Sequence, residues 1–352
     1  MTKVEDIQVT VLAGHLRDDF PNMVDLDFDL VGRKVYRLGA KTGFFSCISW
    51  SMVAEIFRQV RRADLIHVSF ARELVPLITA GVAIVLRRPL VVQPHGMLTS
   101  RTSRLHQLVD LIARPMFRMA GRAIALTRVE EAQLEEWAGV TQRTMIDVIG
   151  NPLPYVAGVG QAPTGSSKAL FIARLEPRKR VSDFVEARQI ANSRGWEEEY
   201  EVVGPDQGDA AAVISAAAST PGLTYRGAVP ASSIEAILDT AGVFVLTSEN
   251  EPWGNVLVAA LAREIPVVVT QSAALATEIE DNHLGIVVPD RDPPAVAEAV
   301  HRIVTSPWRT TEDSGTAKAF ARVRFDQAAI GRQLLSTYHS ARGENATDAM
   351  AE

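Results

Sequence analysis

Cysteine is nearly missing from this chain, which has only Cys47. A single cysteine excludes an internal disulfide and a cysteine metal cage. Long hydrophobic runs are missing too. The longest, Leu74–Leu86, has 13 residues and contains Pro76, short of the ~18–20 that cross a bilayer. The opening Met1–Asp6 lacks the apolar core of a signal peptide, so a cytoplasmic placement is expected. No Gly-x-Gly-x-x-Gly follows a strand-like run with an acid about 20 residues on, which argues against a nicotinamide-dependent dehydrogenase. No fixed-period repeat of the solenoid kind is present. What remains is 352 residues, 47% hydrophobic and 22% charged, the composition of an ordinary globular protein. At roughly 100–200 residues per domain, that length implies about two domains.

The net charge of −6 argues against a general nucleic-acid binder, but it is unevenly placed. Residues 1–150 carry +3 and residues 151–352 carry −9, while residues 31–150 taken alone carry +8. A basic half precedes an acidic one.

Short β-rich runs alternate with helical stretches. Strands are expected at Gln8–Leu12, Leu65–Ser69, Leu90–Gln93, Ala123–Leu126 and Met145–Ile149, with helical periodicity over Ser49–Arg62, Arg104–Ala120 and Arg128–Trp137. Gly150-Asn151-Pro152-Leu153-Pro154 and the small, polar stretch after it read as a linker over 151–168. The alternation restarts with strands at Ala169–Ala173, Tyr200–Val203, Leu223–Gly227, Val243–Thr247, Pro266–Thr270 and Gly285–Val288. This pattern describes an α/β protein of two Rossmann-like, doubly wound parallel-sheet domains. The expected divisions are 1–150, the linker, 169–322, a C-terminal helix at 323–341 returning to the first domain, and a tail at 342–352. In such sheets ligands bind beyond the carboxyl ends of the strands. Four strand-end or helical segments therefore carry the candidate chemistry.

Arg174-Leu175-Glu176-Pro177-Arg178-Lys179-Arg180 follows a strand and spaces Arg174 and Lys179 as R-x4-K. Two cations there suit a diphosphate, Arg as a planar fork and Lys as a point charge. A solvated basic loop is the simpler alternative. Thr247 to Val258 ends a β-branched strand and opens an apolar helix with Pro252 near its first turn. Backbone N–H groups around Gly254, Asn255 and Val256 form a natural phosphate seat, with Glu249 and Glu251 beside it. Simple capping by one of these acids is the plainer reading. Gln93-Pro94-His95-Gly96 places a histidine on a strand-end edge, where it can meet a substrate hydroxyl or remain structural. Residues Arg101–Arg122 hold Arg114, Arg118 and Arg122 at four-residue spacing, with Pro115 expected to kink or restart the helix. Such a face suits anionic lipid headgroups or plain solvent.

Together these motifs resemble the retaining glycosyltransferases of family 4, with the GT-B fold of two Rossmann-like domains facing an interdomain cleft. The resemblance runs from about Val9 to Tyr338. Its carriers are Ile66-His67-Val68, Pro94-His95-Gly96-Met97-Leu98 ("PHGML"), Ile149-Gly150-Asn151-Pro152, Arg174 with Lys179, Glu251-Pro252-Trp253-Gly254 ("EPFG"), and Phe325 to Tyr338 as the last helix. The resemblance implies transfer of a hexose from a UDP- or GDP-sugar, with retention, to a glycan or lipid-linked acceptor. It implies a role in surface polysaccharide or glycolipid synthesis, with no metal or other cofactor. Arg174 and Lys179 would neutralise the leaving diphosphate. Glu251 would hold the donor sugar, and His95 would contact it from the opposite domain. Gly96, Gly204, Glu249, Trp253, Gly254, Asn255 and Val256 would bind substrate. Peripheral contact with an anionic inner membrane face through Arg101–Arg122 is the matching expectation for the partner. Asp25-Leu26-Asp27 has Asp-x-Asp spacing but sits in an early acidic stretch, expected to be surface.

Three departures stand against that pattern. The family's second Glu, eight positions after the first, is Ala259 here; eight residues along a helix is ~12 Å, out of reach of any Glu251 rotamer. The family's Gly-Gly is Ala273-Ala274, and its helix-ending Gly is Glu264. Against the family's pattern, the first domain is expected to lack its first strand and helix, as though the chain started late. These departures motivate the alternative of a non-catalytic nucleotide-sugar- or partner-binding protein on the same fold.

Overall fold

The structure, a computed structural model, describes residues 7–15, 29–37, 47–98, 104–139, 145–153, 166–305 and 316–344. Asp25-Leu26-Asp27, Arg101, most of the linker and the tail beyond Glu344 lie outside the described residues. The chain divides into two compact units, Met1–Ile149 with Gly331–Glu352, and Gly150–Ile330.

The first unit contains β1 (Thr10–His15), β2 (Asp29–Lys34), β3 (Tyr36–Arg37), β4 (Cys47–Ile48), α1 (Trp50–Arg62), β5 (Ile66–Ser69) and α2 (Leu74–Val85). It continues with β6 (Leu90–Gln93), α3 (Arg104–Met119), β7 (Arg122–Ala125), α4 (Arg128–Ala138) and β8 (Ile146–Val148). Its main sheet is β5-β6-β7-β8, all parallel, and β1 and β2 form a separate parallel pair. β2, β3 and β4 were not expected from the sequence: β3 and β4 have two residues each, too short for an alternation to register. Caps set the helix starts. Ser49 accepts from the Met52 N–H at 3.2 Å, and Thr127 does the same for Glu130 at 3.2 Å. The left-handed Gly139 (φ 60°) ends α4. Pro115 does not divide α3, which runs unbroken from Arg104 to Met119. The inward residues Val109, Ala113 and Phe117 bind that helix to the core, so packing overrides the one lost N–H.

The second unit contains β9 (Lys168–Ile172), α5 (Val181–Ser193), β10 (Glu199–Val203), α6 (Ala210–Ser219), β11 (Leu223–Gly227), α7 (Ile234–Leu238) and β12 (Val243–Leu246). Then come α8 (Asn255–Ala262), β13 (Val267–Thr270), α9 (Ala276–Asp281), β14 (Gly285–Val288), α10 (Pro293–Thr305), α11 (Thr316–Arg324) and α12 (Gln327–Arg342). Its six-stranded parallel sheet has the order β11-β10-β9-β12-β13-β14. The central strand β12 is apolar and buried throughout, and β9 and β13 are so apart from the half-buried Lys168 and the buried Thr270, as a sheet covered on both faces requires. From β9 the chain winds outward to β10 and β11, then returns to β9's other side as β12. The switch point therefore lies between β9 and β12, where a ligand crevice opens beyond the strand ends.

From Gly331 onward α12 belongs to the first unit. There Thr337 donates to Asp147 at 2.7 Å, and the Tyr338 hydroxyl meets His67 Nδ1 at 2.8 Å. Among the described residues, no helix is long and apolar enough to cross a membrane.

Candidate functional site

In the second unit, the loops after β9 and β12 meet at the switch point. Arg174 to Arg180 leaves β9 through a single 3-10 turn, Pro177–Lys179. The backbone pins this loop to the next. Thr247, just past β12, donates its hydroxyl to the Lys179 and Arg180 carbonyls at 3.1 and 2.9 Å, and Glu249 N–H donates to the Arg178 carbonyl at 2.9 Å. A third loop joins them. Asn250 N–H donates to Ser272 Oγ at 2.9 Å, Ser272 donates to Asp290 at 2.6 Å, and Ala274 N–H donates to the Glu251 carbonyl at 2.8 Å. The backbone marks the same edge. Arg180, Asn250 and Arg291 hold φ of 52°, 49° and 57°, left-handed values uncommon for residues with a Cβ.

The charged side chains converge within this frame. Lys179 pairs directly with Glu251, their side chains 12% and 7% exposed, and Arg178 lies 3.8 Å from the same carboxylate. Arg174 is more open and bonds Gln207 and Glu176, each at 3.2 Å. Glu249 is held by Arg291, whose hydrogen bond keeps its carboxyl below the usual range, and it also faces Arg180 at 3.8 Å. The structure thus brings Lys179 and Glu251 together and places Arg174 on the same edge. Glu249 is committed to Arg291.

The glycines explain how the edge stays open. Gly204 follows β10 at φ 150°, and a Cβ there would fall 1.7 Å from the Ala173 carbonyl oxygen, so only glycine fits. Gly254 (φ 80°) is the N-cap of α8, with Asn255 and Val256 in its first turn, where N–H groups lack intrahelical partners. Two expectations are corrected here. α8 starts at Asn255, so Pro252 precedes the helix instead of opening it. Half of the interval from Glu251 to Ala259 is therefore loop, because the left-handed Gly254 breaks the helical path, and helical spacing does not measure it. Trp253 is 3% exposed, packed edge-on against Phe325 (centroids 5.3 Å apart) and under Gly150, where a Cβ would meet its ring at 2.1 Å. It is a packing residue in this arrangement and offers no open face to a substrate. Ala273 is buried, and Ala274 spends its N–H on Glu251. Glu264 adopts φ 60° after α8, the left-handed conformation that a helix-ending glycine takes more easily.

In the first unit, the corresponding strand edge carries His95 (φ 53°) and Gly96 (φ 76°) directly after β6. Burial lowers the His95 imidazole below its usual range. Desolvation, then the charge of His95, lowers that of His67 to about 4. Both rings are therefore neutral near pH 7, with one nitrogen donating and one accepting. Behind them, Glu130 of α4 accepts from the Gly96 N–H and, at 2.7 Å, from the Leu126 N–H. Its carboxyl is pushed up by burial, against these two bonds. Arg72 donates to Asp110 at 2.6 Å and to the Met97 carbonyl at 3.1 Å, while Trp137 donates to Asp110 at 2.9 Å.

The sequence reading missed Glu130, Arg178, Gln207, Ser272 and Arg291. Arg178 lay unassigned within the basic strand-end segment, and Glu130 carried a signal in the capping-box spacing of Thr127-x-x-Glu130. Its side chain reaches past the cap to the loop of the neighbouring strand. Glu130→Ala would orphan two N–H groups, at ~1–3 kcal/mol each. Urea unfolding of this variant is expected to show about 2–4 kcal/mol lost, and of Glu130→Gln, which keeps one acceptor, about half as much.

Comparison with known proteins gives the following. Residues 3–154 match the family described as Glycosyltransferase Family 4, and residues 166–306 match the one described as Glycosyl transferases group 1. The chain is 26% identical over 171 residues to the alpha-D-kanosaminyltransferase of Streptomyces kanamyceticus, covering 48% of this chain and 44% of that protein. It is 28% identical over 177 residues to the amylovoran biosynthesis glycosyltransferase AmsK of Erwinia amylovora, covering 47% and 43%. The chain thus spans less than half the length of these curated relatives. Its fold is like that of Anabaena HepE, crystallised with UDP and glucose, at TM-score 0.71 and 19% identity, over 89% of this chain and 86% of that one.

Proposed function

Since residues 3–154 match Glycosyltransferase Family 4 and residues 166–306 match Glycosyl transferases group 1, we propose that the chain is a family 4 glycosyltransferase of the GT-B fold that moves a hexose from a UDP- or GDP-sugar to a glycan or lipid-linked acceptor, with retention of anomeric configuration and without a metal. The observation that carries the reading is the convergence of Arg174, Arg178, Lys179 and Glu251 at the switch point, beside the N-terminus of α8. Relatives in polysaccharide synthesis and a structural neighbour crystallised with UDP and glucose support it.

Glycosyl transfer builds negative charge on the departing diphosphate and positive charge on the sugar. Fixed cations at the first and oriented acceptors at the second lower the barrier. On this reading Arg174 and Lys179 take the diphosphate, with Arg178 as a third cation. The donor displaces the Lys179–Glu251 pair: the ammonium turns to phosphate and the carboxylate to sugar hydroxyls. Neutral His95 adds a hydrogen bond to the sugar. The bond from the anomeric carbon to the diphosphate breaks, the acceptor oxygen bonds on the same face, and its proton leaves with the diphosphate. A cytoplasmic, peripheral placement on an anionic membrane completes the reading.

A panel of nucleotide sugars and acceptors, with product analysis by mass and anomeric coupling constants, tests it. An α-linked product from an α-linked donor, formed equally in EDTA, is expected; an inverted product refutes retention. Ala259 and Ala273-Ala274 favour a second reading, a binding protein that takes nucleotide sugar without turnover. Calorimetric binding with no product across the panel would establish that one instead.

A further inference from the structure

The loop after β6 is a tight turn in a disfavoured conformation. Met97 N–H donates to the Pro94 carbonyl at 3.1 Å and closes the turn Pro94-His95-Gly96-Met97. Both central residues have positive φ, 53° at His95 and 76° at Gly96, the signs of a type I′ turn. Glycine, asparagine and aspartate dominate the first central position of such turns, and a histidine there is uncommon. Backbone of this kind persists only where its surroundings hold it. Here two buried ionisable side chains do so. Glu130, 3% exposed, takes the Gly96 N–H. Arg72, 7% exposed and itself held by Asp110, donates to the Met97 carbonyl at 3.1 Å.

Glu130 does more than an ordinary capping acid. In a capping box the acid at the third helical position returns to the N–H of the cap. The cap of α4 is Thr127, yet Glu130 bonds Leu126 N–H, one residue earlier, and Gly96 N–H, 34 positions away. Each carboxylate oxygen takes one of them. The sheet supplies the reason. β6 and β7 are paired as far as Val92 and Ala123, and past that point the carboxylate stands in for the ladder at two N–H groups.

We propose that Glu130 is the positioning residue of His95, holding the primed turn that carries the imidazole. The inference rests on the hydrogen bond to the sugar assigned to His95 under the proposed function. Glu130 touches no reacting atom and acts through the loop alone.

Glu130→Gln keeps the shape and one acceptor oxygen, but its amide nitrogen meets the other N–H donor to donor. With the active donor, kcat is expected to fall about ten- to hundredfold. UDP affinity, set in the second unit on the same reading, should stay within about twofold. The decisive measurement is a cycle with His95→Ala. Adding Glu130→Gln to that variant should lower turnover by less than about threefold, because the group it positions is gone. A structural role would lower both backgrounds alike. A second readout needs no donor: the His95 imidazole is titrated by NMR in the full chain. Its midpoint should rise toward the ordinary histidine value in Glu130→Gln, because a released turn exposes the ring to water; removal of a negative charge alone would lower it. An unchanged or lowered midpoint overturns the proposal, as do equal losses in the two backgrounds. A parent chain inactive with every donor defeats the proposed function and leaves the midpoint to decide this one.

Discussion

Lys179→Ala is expected to lower kcat/KM by about 10²–10³-fold, the scale of removing one preorganised charge contact from a transition state. Two effects add. On the proposed function the diphosphate would lose its most sheltered cation, since Lys179 is 12% exposed while Arg174 is 55% exposed. The Glu251 carboxylate, 7% exposed, also loses its nearest partner and faces the incoming phosphates uncompensated. Breaking a buried pair by deleting one member costs ~3–5 kcal/mol, and Arg178 at 3.8 Å offsets part of this. Thermal unfolding should therefore show about 2–3 kcal/mol lost. Initial rates with the active donor, and calorimetry with UDP, check the two halves. Unchanged UDP affinity would remove Lys179 from the phosphate site.

Glu251→Gln should split binding from turnover. The amide keeps the shape and one acceptor oxygen but removes the charge that neutralises Lys179. A free diphosphate then meets an unopposed ammonium, and UDP should bind about three- to tenfold more tightly, ~0.7–1.4 kcal/mol. Turnover should fall about 10²–10³-fold, because the acceptor that orients the sugar is weakened where positive charge develops. The backbone contribution of Glu251, its carbonyl accepting from Ala274, is untouched by the substitution. Tighter UDP with slower transfer distinguishes a charge-compensated donor site from a structural ion pair, for which both quantities would fall together. Calorimetry and single-turnover rates read the two quantities separately.

Much of the fold was legible because its strands are buried on both faces. Leu90–Gln93, buried throughout, is found at the bounds its apolar run between prolines indicated, and the partly exposed edge strands Leu223–Gly227 and Gly285–Val288 are found at the bounds their glycines and prolines marked. The site loops were legible for a related reason. Strand ends carry little apolar constraint, so Arg174, Lys179, Glu251 and His95 stand out against the runs before them. The short β3 and β4 left no pattern to find, and Glu130, Ser272 and Arg291 act across loops distant in sequence.

The sequence by itself determined the two Rossmann-like units, the strand-end positions of the charged motifs and the basic first half, since all three follow from local periodicity, spacing and composition. Only the tertiary structure decided which of those charges meet. Lys179 pairs with Glu251, 72 positions on in the chain, because β9 and β12 are neighbours in the sheet; Glu249 is drawn to Arg291 instead. Trp253, a ligand contact by its motif, is buried, and α3, a basic helix by its spacing, turns leucines outward. Local pattern fixes where a side chain lies along its element. Which neighbour covers it depends on the order of strands in the sheet, which no single segment encodes.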